Sequence, residues 1–170
     1  MEALIELKRV EHPFNSTLET GIRAVVILEA FFPRQCDLIE LTWLDHLVVH
    51  TSDLDGKDVP TSLHPDLPNR TAELLVRRPL VERSLRMMQQ LHLVDVAETE
   101  QGVLFLASQD APSYLDLLQS DYALALKERA RWIAGRFGSM STAEIKAVVE
   151  AKIGRWTAEF RADQVSRELR

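Results

Sequence analysis

Cysteine is almost missing from this chain; Cys36 is the only one. A lone thiol cannot close an internal disulfide, so the fold has to be held by its core, and the usage fits a reducing compartment. Glycine is scarce and scattered, with six in the whole chain. No Walker loop and no GxGxxG can be assembled from them, which argues against the Gly-rich phosphate cradles of nucleotide-binding folds. Long apolar runs are lacking too. None approaches the roughly 20 residues of a membrane span. Glu2, Glu6, Lys8 and Arg9 break up the stretch where a signal-peptide core would lie. A cytoplasmic protein with no membrane partner is expected. Basic residues are outnumbered, 20 against 26 acidic, for a net charge of −6. That balance is wrong for a general nucleic-acid binder.

What remains is ordinary globular material: 170 residues, 46% hydrophobic and 27% charged. This is enough to bury a core without a staple. The charge is uneven. Residues 61–91 carry five basic and three acidic groups, whereas 92–126 carry six acidic groups and no basic one. Local basic segments in an acidic chain suit a protein partner, or a local DNA contact inside a larger basic assembly.

Ser16 with Glu19 forms a capping box ahead of an apolar helix to about Phe32, with Gly21 at a close helix contact and Arg23 seeking a wet edge. Asp37 caps a second helix to about His50. A solvated loop, Thr51–Pro60, leads into SLHPDLPNR, stiffened by Pro60, Pro65 and Pro68. Asn69 is placed to cap a short helix from Arg70 to about Arg77. Proline inside a helix costs about 3 kcal/mol but little in its first turn. A turn at Arg77-Arg78 and a new helix from Pro79 to Leu91 are therefore expected. Val81, Leu85, Met88 and Leu91 form its apolar face. A β-hairpin follows, with strands around Leu93–Val96 and Val103–Ala107. Helices then resume after Asp110, break at Ser120 and Asp121, end at Gly138, and restart at the Ser141/Glu144 capping box. Short helix, turn, amphipathic helix and hairpin is the order of a winged helix-turn-helix. The expected fold is mainly α with a small β-hairpin, a winged helix-turn-helix core at about 69–108, and added N- and C-terminal helices. The expected division is a helical domain at 1–138 and a C-terminal helix at 139–170, packed on it or docking a partner.

His46 and His50 lie four apart, a zinc-ligand spacing, with His64 and Asp66 further on. The HExxH glutamate and further cysteines are missing, so packed or hydrogen-bonded histidines are expected and no metal site is assigned. Cys36 has acidic neighbours, Asp37 and Glu40, which disfavour a thiolate nucleophile. His64 and Asp66 beside Thr61 and Ser62 resemble a hydrolase constellation, but no nucleophile elbow accompanies them. A stiff lead-in whose His64, Asp66 and Asn69 serve structure accounts for the same residues. No catalytic residue and no cofactor is expected. Arg70, Arg77, Arg78, Arg83 and Arg86, with Gln90, are the candidates for partner or DNA contact. Arginine and glutamine are suitable base readers. Glu82 and the acidic hairpin residues Asp95, Glu98 and Glu100 oppose phosphate. Trp132, Trp156 and Phe160 are core residues or partner anchors.

The strings FNSTLETGIRAVVILEAFFP, LTWLDHLVVHTSD, SLHPDLPNRTAELLVRRPLVERSLRMMQQ and YLDLLQSDYALALKERARWIAGRFG resemble the middle component of bacterial ABC-three-component systems. These are related to Lamassu-type anti-phage and anti-plasmid defence operons. The resemblance runs from about Phe14 to Gly138, and Pro79 departs from the helix-friendly residue expected there. It implies a non-enzymatic subunit encoded with an SMC-like ABC ATPase and an effector, often a nuclease. Such a subunit binds the ATPase and couples nucleic-acid sensing to the effector, with room for a DNA contact inside the complex. The alternative is a winged-helix DNA-binding transcription regulator.

Overall fold

The computed structural model describes residues 15–68 and 70–152. The expectations for residues 1–14, Asn69, Trp156 and Phe160 lie outside them. Helix α1 (Thr17–Phe31) starts where the capping box places it. Ser16 Oγ accepts from Glu19 N, and Glu19 Oε2 accepts from Ser16 N. It is buried on nearly every side, from Thr20 to Leu28, because its sequence is apolar at almost every position. It is the central helix, touching α2 (Leu38–Val49), α3 (Arg70–Gln90), α4 (Ala111–Asp116), α5 (Asp121–Phe137) and strand β2 (Gly102–Ala107). A second capping box, Asp37 with Glu40, opens α2. Ser120 caps α5 through Ala123 N. The Ser141/Glu144 pair closes reciprocally ahead of a helical stretch at 142–152, whose Ile145 and Val149 join the core.

Strand β1 (Val94–Thr99) pairs antiparallel with β2, in register from Val94 opposite Ala107 to Thr99 opposite Gly102. Gly102 sits at φ +119°, a backbone region that side chains disfavour, which suits a glycine where the hairpin turns. Cys36, between α1 and α2, adds a single bridge to this hairpin. Its N–H donates to Phe105 O and its carbonyl accepts from Phe105 N. The chain is thus mainly helical with a two-stranded hairpin. The order helix, bridging residue, two helices, hairpin is consistent with a winged-helix layout that begins at α1 rather than near residue 69.

The expected turn at Arg77-Arg78 is not there. Helix α3 runs unbroken through Pro79. Buried residues flank the proline on one face: Leu74 and Arg77 before it, Val81, Ser84, Leu85 and Met88 after it. Packing against α1 and α2 holds both halves on one axis. The ring itself lies on the exposed side. The Leu75 carbonyl, four residues earlier, loses its amide partner on that wet face, where water can replace it.

Candidate functional site

Behind α3 lies a buried charge network. Asp45 of α2 accepts from Arg23 Nε of α1 at 2.8 Å and from Arg77 Nη1 of α3. All three side chains are nearly inaccessible. Burial alone would raise the pKa of Asp45, but Arg23 and Arg77 outweigh it and bring it down to about 2. Arg23 also reaches Thr20 Oγ1 at 3.1 Å, and Arg77 reaches Glu73 at 3.3 Å. Next to it, Asp53 Oδ2 lies 2.9 Å from His46 Nε2, while its other oxygen pairs with Arg70 Nε at 2.8 Å. One carboxylate thus ties α2 and the turn after it (Thr51–Asp53) to the first turn of α3.

The proline-rich lead-in is built into the same network. Val49 O accepts from the backbone N–H groups of both Leu63 and His64, at 3.0 and 3.1 Å. Thr51 Oγ1 donates to Pro60 O, and Ser62 Oγ accepts from Ser52 N. Arg129 of α5 donates to Thr61 O from the other side. His64 Nε2 and the Tyr122 hydroxyl lie 2.8 Å apart. The His50 ring sits between its neighbours, 4.6 Å from His46 and 5.9 Å from His64 by ring centroids. Burial lowers the pKa of all three histidines, and nearby cations add to it. His50 falls to about 3 and His64 to about 4. The rings are held as neutral packing groups, and among the described residues no metal-ligand set of three or more His, Cys, Asp or Glu forms. Asp66 is exposed, whereas His64 is buried and its Nε2 faces the Tyr122 hydroxyl. Cys36 is buried, and burial, with Glu40 nearby, pushes its thiol up to about 12.

The outward face of α3 is different in kind. Leu75 and Val76 are 75% and 71% exposed, and Pro79 lies beside them. Arg83, Arg86 and Gln90 continue the same stripe one to three turns on, and Arg78 flanks it. Arg86 is paired with Glu82 at 2.6 Å on the surface. The contact candidates therefore divide. Arg78, Arg83, Arg86 and Gln90 are exposed; Arg70 is paired with Asp53; Arg77, at 3% exposure, is part of the interior and not of a contact face. A further cleft of about 200 Å³ lies between α1 and α5, lined by residues including Ile22, Arg23, Tyr122 and Leu126.

Sequence reasoning missed the Arg23–Asp45–Arg77 network and sent Arg23 to a wet edge. The available signal was a pair of opposite charges amid apolar residues: Arg23, the one cation of α1, and Asp45 in the middle of α2. Charges in such helices are seldom buried unless they find each other.

No curated protein and no solved structure matches the chain. Residues 13–159 match the family described as ABC-three component (ABC-3C) system Middle Component 2. The match spans α1 to the last described helix and includes the network, the lead-in and the exposed α3 face. The chain belongs to the Middle Component 2 family of ABC-three component systems.

Proposed function

We propose that this chain is a non-enzymatic accessory subunit of an SMC-like ABC ATPase complex. It bridges the ATPase and an effector in bacterial anti-phage or anti-plasmid defence of the Lamassu type. Family membership supplies the setting. The observation that carries the role is where the reactive side chains lie. His46, His50, His64, Asp45 and Arg77 are buried and occupied with one another, with Asp53 or with Tyr122. Groups that could act on a substrate are used as internal glue. The outside offers contact surface: a long helix face and a hairpin.

Co-expression with the ATPase and effector encoded beside it is the test. Retention of both proteins on the tagged chain, and loss of the ATPase–effector association when the chain is omitted, is the expected result. A monodisperse monomer of 19.4 kDa that ignores the ATPase would sink the proposal. The regulator alternative draws on the exposed Arg83, Arg86 and Gln90, which could face a major groove. The hairpin beside them exposes Asp95, Glu98 and Glu100, where a DNA-binding wing would present cations to phosphate.

A further inference from the structure

We infer that the outer edge of β1 is a strand-addition site. Its occupant is an extended segment of another protein that carries a lysine or arginine on each face of the added strand. The inference rests on the accessory-subunit role proposed above and adds the element that meets the partner and the partner's chemistry.

The direction of the backbone groups follows from one bridge. Phe105 of β2 turns both its N–H and its carbonyl toward Cys36, and so away from β1. Val96 stands directly opposite Phe105. In an antiparallel pair, residues opposite each other either exchange both bonds or both turn outward. Val96 therefore turns its N–H and carbonyl to the far side of the hairpin, and Glu98, two residues on, does the same. Among the described residues no backbone group takes them up. Cys36, β2 and β1 lie in that order, which leaves β1 as the open edge. Val94 belongs to the same row but is buried, so the open stretch starts after it.

Such edges are usually blunted by lysine, proline or a bulge. β1 has neither lysine nor proline, and its register to β2 runs one to one from Val94 to Thr99. The exposed charges it does carry are Asp95 and Glu98, joined by Glu100 in the turn. No lysine or arginine lies within residues 92–126 to offset them. These carboxylates select the occupant. A second copy of this chain on the same edge would set carboxylate against carboxylate, with no cation in either strand. A cationic strand is attracted instead. Asp95 and Glu98 are an odd number of residues apart, so they lie on opposite faces of the hairpin, and a matching strand needs a cation on each face. The main chain supplies the affinity of such a joint, and the paired charges supply its selectivity.

The test is residue-resolved hydrogen exchange on the full chain, alone and in the complex purified by co-expression with its ATPase and effector. In the isolated chain the Val96 and Glu98 amides are expected to exchange fast. In the complex they are expected to slow by at least about tenfold. Val96→Pro removes an outward N–H and no bond of the hairpin, and is expected to weaken capture about tenfold. Asp95→Lys/Glu98→Lys, at exposed positions, is expected to weaken it about thirtyfold. A circular-dichroism melt checks each fold; if Val96→Pro does not fold, the exchange data and the charge variant decide. Amides that stay fast in a complex that does form overturn the edge and leave the accessory role standing. Capture by Asp95→Lys/Glu98→Lys equal to wild type overturns the cationic occupant. Amides already slow in the isolated chain overturn the proposal too, because a second copy or the chain's own residues then cover the edge. A wild-type chain that captures neither protein overturns the role and the edge with it.

Discussion

Asp45 is the residue on which three helices depend. It is the shared partner of Arg23 and Arg77, and the further carboxylate at Arg77, Glu73, is partly exposed. Asp45→Asn keeps the shape and removes the charge, leaving two buried cations facing an amide. Breaking a buried pair in this way costs about 3–5 kcal/mol, and a urea titration is expected to show a loss of that size. A loss below about 1 kcal/mol would mean that the network is already solvated. The histidines predict a pH dependence. His50 and His64 are held neutral in the fold, at about 3 and about 4, against an ordinary 6.5. Below 6.5 the unfolded chain takes up protons that the fold refuses. Stability is therefore full above 6.5 and falls as pH drops toward 4 and then 3. Each such histidine contributes a slope of up to about 1.4 kcal/mol per pH unit. Asp45 adds to the loss only further down, from its ordinary 3.8 toward about 2. The melting temperature is expected to drop between about pH 7.5 and about pH 5, and less so in a His64→Gln variant. A melting temperature flat over that range would contradict this account.

At the scale of elements, the contact between α1 and α3 decides the shape of the domain. Gly21 of α1 faces Met88 of α3. A Cβ at position 21 would stand 2.6 Å from Met88 Cε and 2.9 Å from its Cγ. Met88 is fully buried, so its side chain would have to shift within the core. Gly21→Ala is expected to cost about 1–3 kcal/mol of stability by overpacking, read from the urea midpoint. An unchanged midpoint would show that the two helices have room to separate. The expected close contact at Gly21 was legible in the sequence, since a glycine in the middle of an otherwise apolar helix needs a reason. The course of α3 was not. Pro79 weakens a helix by a local rule, and the rule favoured a turn. Leu74, Arg77, Val81 and Leu85 all find burial on one axis, and that non-local gain overrides it.

For the whole molecule, charge and layout set what it can meet. A winged-helix-like arrangement invites a DNA-binding role, but the exposed hairpin is acidic and the net charge is −6. The isolated chain is expected to bind duplex DNA no more tightly than about micromolar at physiological salt, the range of non-specific contacts. Fluorescence anisotropy over a salt series would measure it. Tight binding with a steep salt slope would favour the regulator alternative. Among the described residues no helix is long and apolar enough to cross a membrane.

The sequence by itself determined what closes within a few residues. The capping boxes of Ser16 and Ser141, the cap at Asp37, the break at Ser120 and the hairpin were all readable, because each partner lies three or four positions away or across one turn. Only the tertiary structure decided the pairings between distant positions. Arg23 meets Asp45 across 22 residues, Arg77 meets Asp45 across 32, and His64 meets Tyr122 across 58. It also turned Arg77 inward and left Leu75 and Val76 outside. A charge is buried only when packing brings it a partner, and that partner is chosen by how the helices pack together, which no local pattern encodes.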